Sequence, residues 1–176
     1  MQAGGTVHDP DNKKRTPLHI AAMTGRAHNV RTILTALPNQ LGVRDKKNMN
    51  AMAYACKYGH TEVVKVLLEF KAKMNAPCGP MRMAPIIWAS SYGHYDLCEY
   101  LLNNKGRTLS KDKYKRTALI MAVRNGFTKI VSLLLQRGSE WIHCDSSMNT
   151  ALHYAAGYGS LDCIDLLLKV GADVNA

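Results

Sequence analysis

A ten-residue pattern returns at a nearly constant interval along this chain. Its copies begin at Thr16, Asn50, Ala84, Thr117 and Thr150, so successive starts lie 34, 34, 33 and 33 residues apart. Five copies at one period indicate a row of stacked units, because one short unit cannot bury its apolar face alone. A chain of 176 residues that is 47% hydrophobic can bury such a shared core within a single domain.

Each copy, called the frame below, carries the same residue types at the same places. Alanine lies five places after the first frame residue, as in Ala21 and Ala55, and glycine lies nine places after it, as in Gly25 and Gly59. An invariant small residue in a helix marks the close approach of a neighbouring helix, and glycine after a short helix is typical of a left-handed helix end. A second segment with helical apolar spacing follows each glycine. The pattern therefore predicts a helix, a turn, a second helix and an extended connector in every unit.

The six residues before each frame are called the fingers. Fingers 1 to 5 cover residues 10–15, 44–49, 78–83, 111–116 and 144–149. A turn aspartate lies five residues before the frame in four of them. These residues are Asp11, Asp45, Asp112 and Asp145.

Three segments identify a family. The stretches TPLHIAA at 16–22, TALHYAA at 150–156 and GADVNA at 171–176 closely resemble the ankyrin-repeat consensus. The resemblance implies an all-α fold, an ankyrin-repeat solenoid of stacked helix–turn–helix units with β-hairpin-like finger loops, forming one domain over residues 1–176. It also implies that the chain binds other proteins and is not an enzyme.

The fingers depart from the consensus in two respects. The family usually has glycine two residues before the frame, at the finger tip. Finger 3 lacks the aspartate and is flanked and crossed by Pro77 and Pro80, so we expect it to be the least regular finger. In the first repeat, Pro38 predicts an early end for the second helix. The tip positions hold Lys14, Asn48, Arg82, Lys115 and Met148.

The two ends suggest a longer array. Gly4 lies twelve residues before Thr16, as Gly138 lies twelve before Thr150, so residues 1–9 resemble the tail of a preceding repeat. The sequence stops where a sixth finger would begin, and no polar capping repeat is visible. We expect the chain to be a segment of a longer array.

The sequence offers no recognisable catalytic, cofactor or metal site. His19 and His153 occupy the fourth frame residue with no recurring nucleophile or carboxylate beside them, and the resemblance implies that they hydrogen-bond within and between repeats. Five cysteines without a CxxC pair and without a signal peptide indicate reduced thiols inside a cell. We expect no cofactor, no metal, no small-molecule substrate, no membrane span, a monomer, and a cytoplasmic or alternatively nuclear location.

Basic residues and tyrosines mark the expected binding surface. The net charge is +10, and 11 of the 23 lysines and arginines lie in the fingers. Tyrosine occurs in three repeats just before the frame glycine, on the side of the first helix expected to be concave; incidental packing is the alternative explanation. We expect an acidic, extended segment of another protein to bind there. The predicted contact residues are Lys13, Arg15, Lys46, Lys47, Met49, Lys57, Tyr58, Met81, Met83, Tyr92, Lys113, Tyr114, Arg116, Arg124 and Tyr158.

Two other functions fit the same residues. Basic side chains interleaved with tyrosine are compatible with a nucleic acid or an anionic lipid surface. Against this, the sequence has no nucleic-acid-binding motif and finger 5 has no basic residue. The chain could also serve as a regulatory ankyrin arm of a larger enzyme or channel. Fold alone does not decide among these functions.

Overall fold

The computed structural model describes residues 10–173, so the expected repeat tail at residues 1–9 lies outside the described residues. Within that range each frame forms one helix and the segment after its glycine forms a second, which confirms the predicted all-α repeat. The ten helices are α1 Pro17–Met23, α2 Ala27–Ala36, α3 Ala51–Tyr58, α4 Thr61–Glu69, α5 Pro85–Ser91, α6 Tyr95–Asn103, α7 Ala118–Arg124, α8 Thr128–Gln136, α9 Ala151–Gly157 and α10 Leu161–Lys169.

The helices form two layers. The first helices of successive repeats pack side by side from α1 to α9, and the second helices do the same from α2 to α10. The invariant alanines lie in the first layer, where Ala55, Ala89 and Ala122 are completely buried. A larger side chain at these places would force the neighbouring helix away. Leucine, isoleucine and valine fill the space between the layers in one continuous core.

The frame glycine serves both its own repeat and the next one. Gly59 has a φ of +75°, in the left-handed region that favours glycine. A Cβ at this position would lie 2.5 Å from Nδ1 of His94, the residue that precedes α6. The His94 ring in turn bonds through Nε2 to the carbonyl oxygen of Lys57, at 2.9 Å. His60 and Met23 repeat this contact one unit earlier.

The frame histidine connects adjacent repeats, as the resemblance implied. The backbone N–H of Thr16 donates to Nδ1 of His19 at 3.1 Å, so Nε2 carries the proton and donates to the Met49 carbonyl oxygen at 3.1 Å. Burial lowers the pKa of His19, which keeps the ring neutral. His153 makes the same contacts with Thr150 within its own repeat.

Adjacent fingers are linked by main-chain hydrogen bonds. The Lys46 N–H donates to the Lys13 carbonyl at 3.0 Å, and fingers 4 and 5 continue the same register. Finger 3 differs, because Gly79 donates to Asn48 at 2.7 Å and this donor lies one place earlier than in the other fingers. Finger 3 is therefore irregular in register, although Cys78 and Met83 pair as an isolated antiparallel bridge.

The finger tips keep the left-handed backbone that the family obtains with glycine. The φ values run from +54° to +64° although no tip residue is glycine. This conformation costs a non-glycine residue about 1–2 kcal/mol, so packing and hydrogen bonds in the finger must offset it. The five residues are Lys14, Asn48, Arg82, Lys115 and Met148.

The prediction for Pro38 was wrong. Helix α2 has ten residues, one more than each of the other four second helices. The proline restricts Leu37, which already lies beyond the helix with φ −140°. Pro38 then begins a 3-10 turn, Pro38–Gly42.

Candidate binding groove

A groove of about 540 Å³ lies between the fingers and the first helices of repeats 1 to 3, and it is called groove A. Fingers 1, 2 and 3 form one wall, and α1, α3 and α5 form the other. Groove A brings together eight of the fifteen predicted contact residues. These are Lys13, Arg15, Lys46, Lys47, Met49, Lys57, Tyr58 and Tyr92.

Aromatic rings form the helical wall of groove A. Tyr54 and Tyr58 stack at 6.5 Å between centroids, and Trp88 and Tyr92 stack at 6.1 Å in the next repeat. The Lys57 Nζ lies 5.5 Å from the ring centroids of both Tyr58 and Tyr92, within cation–π range. Tyr58 and Tyr92 remain 43% and 45% exposed, so these rings both pack and present surface.

The charge in groove A is one-sided. Asp45 is the one acidic residue in its lining, and it is buried. One of its oxygens accepts the backbone N–H groups of Lys47 and Met49, and the other accepts the Tyr54 hydroxyl at 2.5 Å. Among residues 10–173, no ion pair involves the four groove lysines, so their charge is available. These lysines are Lys13, Lys46, Lys47 and Lys57.

Two predicted arginines already have intramolecular partners. Arg15 donates Nε to Asp11 at 2.7 Å, and this hydrogen bond holds the pKa of Asp11 at about 2. Arg116 donates Nε and a terminal nitrogen to Asp112 at 2.8 and 2.6 Å. Each arginine lies just before its frame and folds back onto its own finger. These two side chains stabilise the finger first, and their charge is largely neutralised.

Tyr54 and Tyr154 have a role that we did not predict. In repeats 2 and 5, where the finger has an aspartate but no arginine before the frame, a tyrosine four places after the first frame residue donates to that aspartate instead. Tyr154 does so to Asp145 at 2.7 Å, as Tyr54 does in repeat 2. The sequence carried a signal for this role, since these two tyrosines occur only in repeats whose finger ends without arginine.

A second depression of about 310 Å³, called groove B, lies beside repeats 4 and 5. It brings together Tyr114, Arg116, Arg124 and Tyr158. The Arg124 Nε donates to the Tyr158 hydroxyl at 3.2 Å, and its guanidinium carbon lies 6.0 Å from that ring centroid. Lys113 lies outside the lining but packs over Tyr114 at 4.8 Å.

The methionine predictions need correction. Met49 and Met83 are only 3% and 4% exposed, because the residue just before the frame turns inward toward the core. The expectation that they contact a partner is therefore wrong. Met81 is half-buried and packs against the core. Trp88 was missed: it lines groove A, and its buried indole N–H has no hydrogen-bond partner within the described range.

Two negative findings apply to residues 10–173. No group of three or more histidine, cysteine, aspartate or glutamate side chains is arranged to hold a metal ion. No helix in this part of the chain has the length and apolar character needed to cross a membrane.

Known proteins match the chain over most of its length. A family model described as ankyrin repeats matches three overlapping segments, at residues 3–78, 28–112 and 86–176. The ankyrin repeat protein nuc-2 of Neurospora crassa is 29% identical over 176 residues, which covers 99% of this chain and 16% of that protein. The poly [ADP-ribose] polymerase tankyrase of Caenorhabditis elegans is 31% identical over 193 residues, which covers 99% of this chain and 8% of that protein. The human transient receptor potential cation channel subfamily A member 1 is 31% identical over 127 residues, which covers 70% of this chain and 11% of that protein. The chain thus spans a small part of each of these relatives.

Proposed function

Because this chain belongs to the ankyrin-repeat family, we propose that it is a non-catalytic scaffold that binds an acidic, extended segment of another protein in groove A. Ankyrin repeats are generally protein-interaction modules and are generally not catalytic. One observation carries the proposal: four lysines that form no ion pair with any residue in the range 10–173 line the groove, and the single carboxylate in its lining is buried and hydrogen-bonded at both oxygens. A segment bearing carboxylates complements that charge.

The energy and the rate of binding should come from different residues. Exposed lysines on the fingers attract an acidic segment and raise the association rate, but water and salt weaken each contact. Tyr58 and Tyr92 offer large, partly exposed rings that are already held by stacking, so their burial costs little side-chain entropy. A standard interface buries about 800 Å² per partner, which a surface spanning several repeats can provide.

A random peptide-display selection tests this proposal. The protein, the double variant Tyr58→Ala/Tyr92→Ala and the control variant Tyr95→Ala are each used as bait. Tyr95 begins α6 in the second layer and is also partly exposed, so it matches the lost ring without touching groove A. We expect the protein and the control to enrich peptides rich in aspartate and glutamate, and the double variant to lose that enrichment. Enrichment of neutral peptides, or equal enrichment on the double variant, would refute it.

The principal alternative is a polyanion. Lysines next to exposed tyrosines match the way proteins hold single-stranded nucleic acid. Titration with a labelled dT oligonucleotide, and with vesicles containing phosphatidylserine, gives an affinity at each salt concentration. A single-stranded ligand contacting Z phosphates should show a slope of about −0.7Z in log affinity against log salt. Binding of that kind, unaffected by acidic peptides, would favour the alternative.

The wider setting also belongs to the proposal. We place the chain in the cytoplasm, with the nucleus as the alternative, and we propose that it acts as a monomer. The chain matches only 8–16% of three much longer relatives, which supports the second possibility that it is a regulatory arm of a larger protein. In that case groove A would bind a segment of the same protein or of its regulator.

A further inference from the structure

Two places in the first-helix layer hold a cation against a tyrosine of the next repeat. Lys57 near the end of α3 lies 5.5 Å from the Tyr92 ring centroid. Arg124 at the end of α7 lies 6.0 Å from the Tyr158 ring centroid and donates Nε to the Tyr158 hydroxyl. Both cations lie seven places after the first frame residue, and both tyrosines lie eight places after theirs. We call these the two cation–tyrosine pairs.

Between the two pairs, the two places that correspond to a pair carry no charge. Ser91 occupies the corresponding place in α5, and Asn125 occupies the tyrosine place in the next repeat. The Asn125 side-chain amide donates to the Ser91 carbonyl oxygen at 3.0 Å, so the contact between repeats is kept without charge. This row of first-helix positions therefore alternates along the stack as charged, neutral and charged.

Neither cation is neutralised by a carboxylate. The ion pairs found within residues 10–173 involve neither Lys57 nor Arg124. Each is partly buried against aromatic rings, which limits the conformations that its side chain can adopt. A cation held in this way loses less side-chain entropy on binding a carboxylate than an unrestricted lysine does. Each pair is thus suited to one carboxylate.

The spacing of the pairs sets the spacing of the carboxylates. Packed helices lie about 8–10 Å apart, so two steps from α3 to α7 separate the pairs by about 16–20 Å. An extended peptide advances about 3.3 Å per residue, so a separation of about 16–20 Å corresponds to about five or six residues. Side chains of an extended segment alternate between faces, and residues six apart point the same way. Five residues would turn the second carboxylate away.

Building on the proposed function, we propose that the partner segment is extended and carries two acidic residues six positions apart, one bound at each cation–tyrosine pair. The residues between them lie over the uncharged Ser91–Asn125 step, which offers no cation to a further carboxylate. A nucleic acid is disfavoured at this level, because its charges repeat at every nucleotide and gain nothing from a neutral gap.

Fluorescence anisotropy with four labelled eleven-residue peptides tests the spacing. All four share one background of alanine, serine and threonine, and the first two carry the same charge. The first has aspartate at its third and ninth positions, the second at its third and sixth, the third at its third alone, and the fourth has none. We expect the six-residue spacing to bind at least 10-fold more tightly than the three-residue spacing, which should match the single-aspartate peptide.

Two variants assign the carboxylates to the pairs, and a third controls for net charge. Lys57→Met and Arg124→Met should each reduce the affinity of the six-spaced peptide to that of the single-aspartate peptide. Lys129→Met removes the same charge from an exposed position in α8 and should leave the spacing preference unchanged. Loss of the preference in Lys129→Met would overturn the proposal, since it would show a net-charge effect.

The remaining outcomes separate this proposal from the function beneath it. Equal affinity for both two-aspartate peptides, abolished by Tyr58→Ala/Tyr92→Ala, would overturn the spacing and leave the proposed function standing. Binding of acidic peptides that is unchanged in that double variant would overturn both. Stronger competition by a dT oligonucleotide than by the six-spaced peptide would also overturn both, in favour of a polyanion.

Discussion

Removing one hydroxyl group from Tyr54 should measurably destabilise the array. The Tyr54 hydroxyl donates to the Asp45 carboxylate at 2.5 Å, and Tyr54 is 7% exposed. Tyr54→Phe keeps the ring, which stacks on Tyr58 and meets His19 edge to face, so packing is unchanged and only the hydrogen bond is lost. A hydrogen bond to a charged group contributes about 1.5–3 kcal/mol, and its loss leaves a buried carboxylate oxygen without its donor.

Urea unfolding and thermal melting give the size of this effect. For a domain of about 150–250 residues, 1 kcal/mol shifts the melting temperature by about 2–4 °C. Tyr54→Phe should therefore lower the melting temperature by about 3–12 °C. The free energy of unfolding should fall by about 1.5–3 kcal/mol. The urea m-value should not change, because the surface area exposed on unfolding is the same.

Tyr158→Phe is the matched control. Its hydroxyl accepts a longer hydrogen bond, 3.2 Å, from Arg124, and the ring is 59% exposed. Surface substitutions of this kind usually change the free energy of unfolding by less than about 0.5 kcal/mol. If the free energy of unfolding of Tyr54→Phe also lies within about 0.5 kcal/mol of that of the unmodified protein, the finger aspartate does not depend on its tyrosine partner, which refutes the role given to Tyr54.

Two further predictions concern a glycine and a titrating carboxylate. Gly126→Ala should cost about 1–2 kcal/mol from its φ of +72° alone, because no atom of residues 10–173 crowds the new Cβ. Gly59→Ala should cost about 1 kcal/mol more, because its Cβ displaces the imidazole of the next repeat. Equal urea midpoints for the two variants would contradict this. The pKa of Asp11 is about 2 in the folded protein, below its ordinary value of about 3.9. The stability that this carboxylate contributes is therefore present above about pH 4 and is lost as the pH falls toward 2. The difference in melting temperature between the protein and Asp11→Asn should accordingly shrink between pH 4 and pH 2, and a constant difference would exclude that role.

Helix placement followed from the sequence because the repeat reports it five times. Period, alanine and glycine each gave an independent indication of the same helix pair, and tertiary packing did not override any of them. The finger tips show the limit of this reasoning. Lys14 and Met148 adopt the left-handed conformation without glycine, because the surrounding turn holds the backbone there. Residue type alone does not predict that outcome.

Side-chain direction in the fingers was the least predictable feature. The residue just before the frame points inward in repeats 1 to 4, so Met49 and Met83 are buried and Arg15 and Arg116 fold back onto aspartates. An extended segment of six residues has no helical period to reveal its inner face. From the sequence alone, we interpret the methionines and arginines just before the frame as two kinds of surface contact. In the structure both residue types occupy the same inward-facing position of the finger.

This inward position decides which charges are available to a partner. An arginine there is neutralised by the finger aspartate, and a tyrosine donor from the first helix takes its place where arginine is lacking, as in repeats 2 and 5. The net charge of +10 therefore overstates what a partner meets. Among the basic residues, binding should depend most on Lys57 and Arg124, whose side chains pack against tyrosine rings and whose charges no carboxylate within residues 10–173 neutralises.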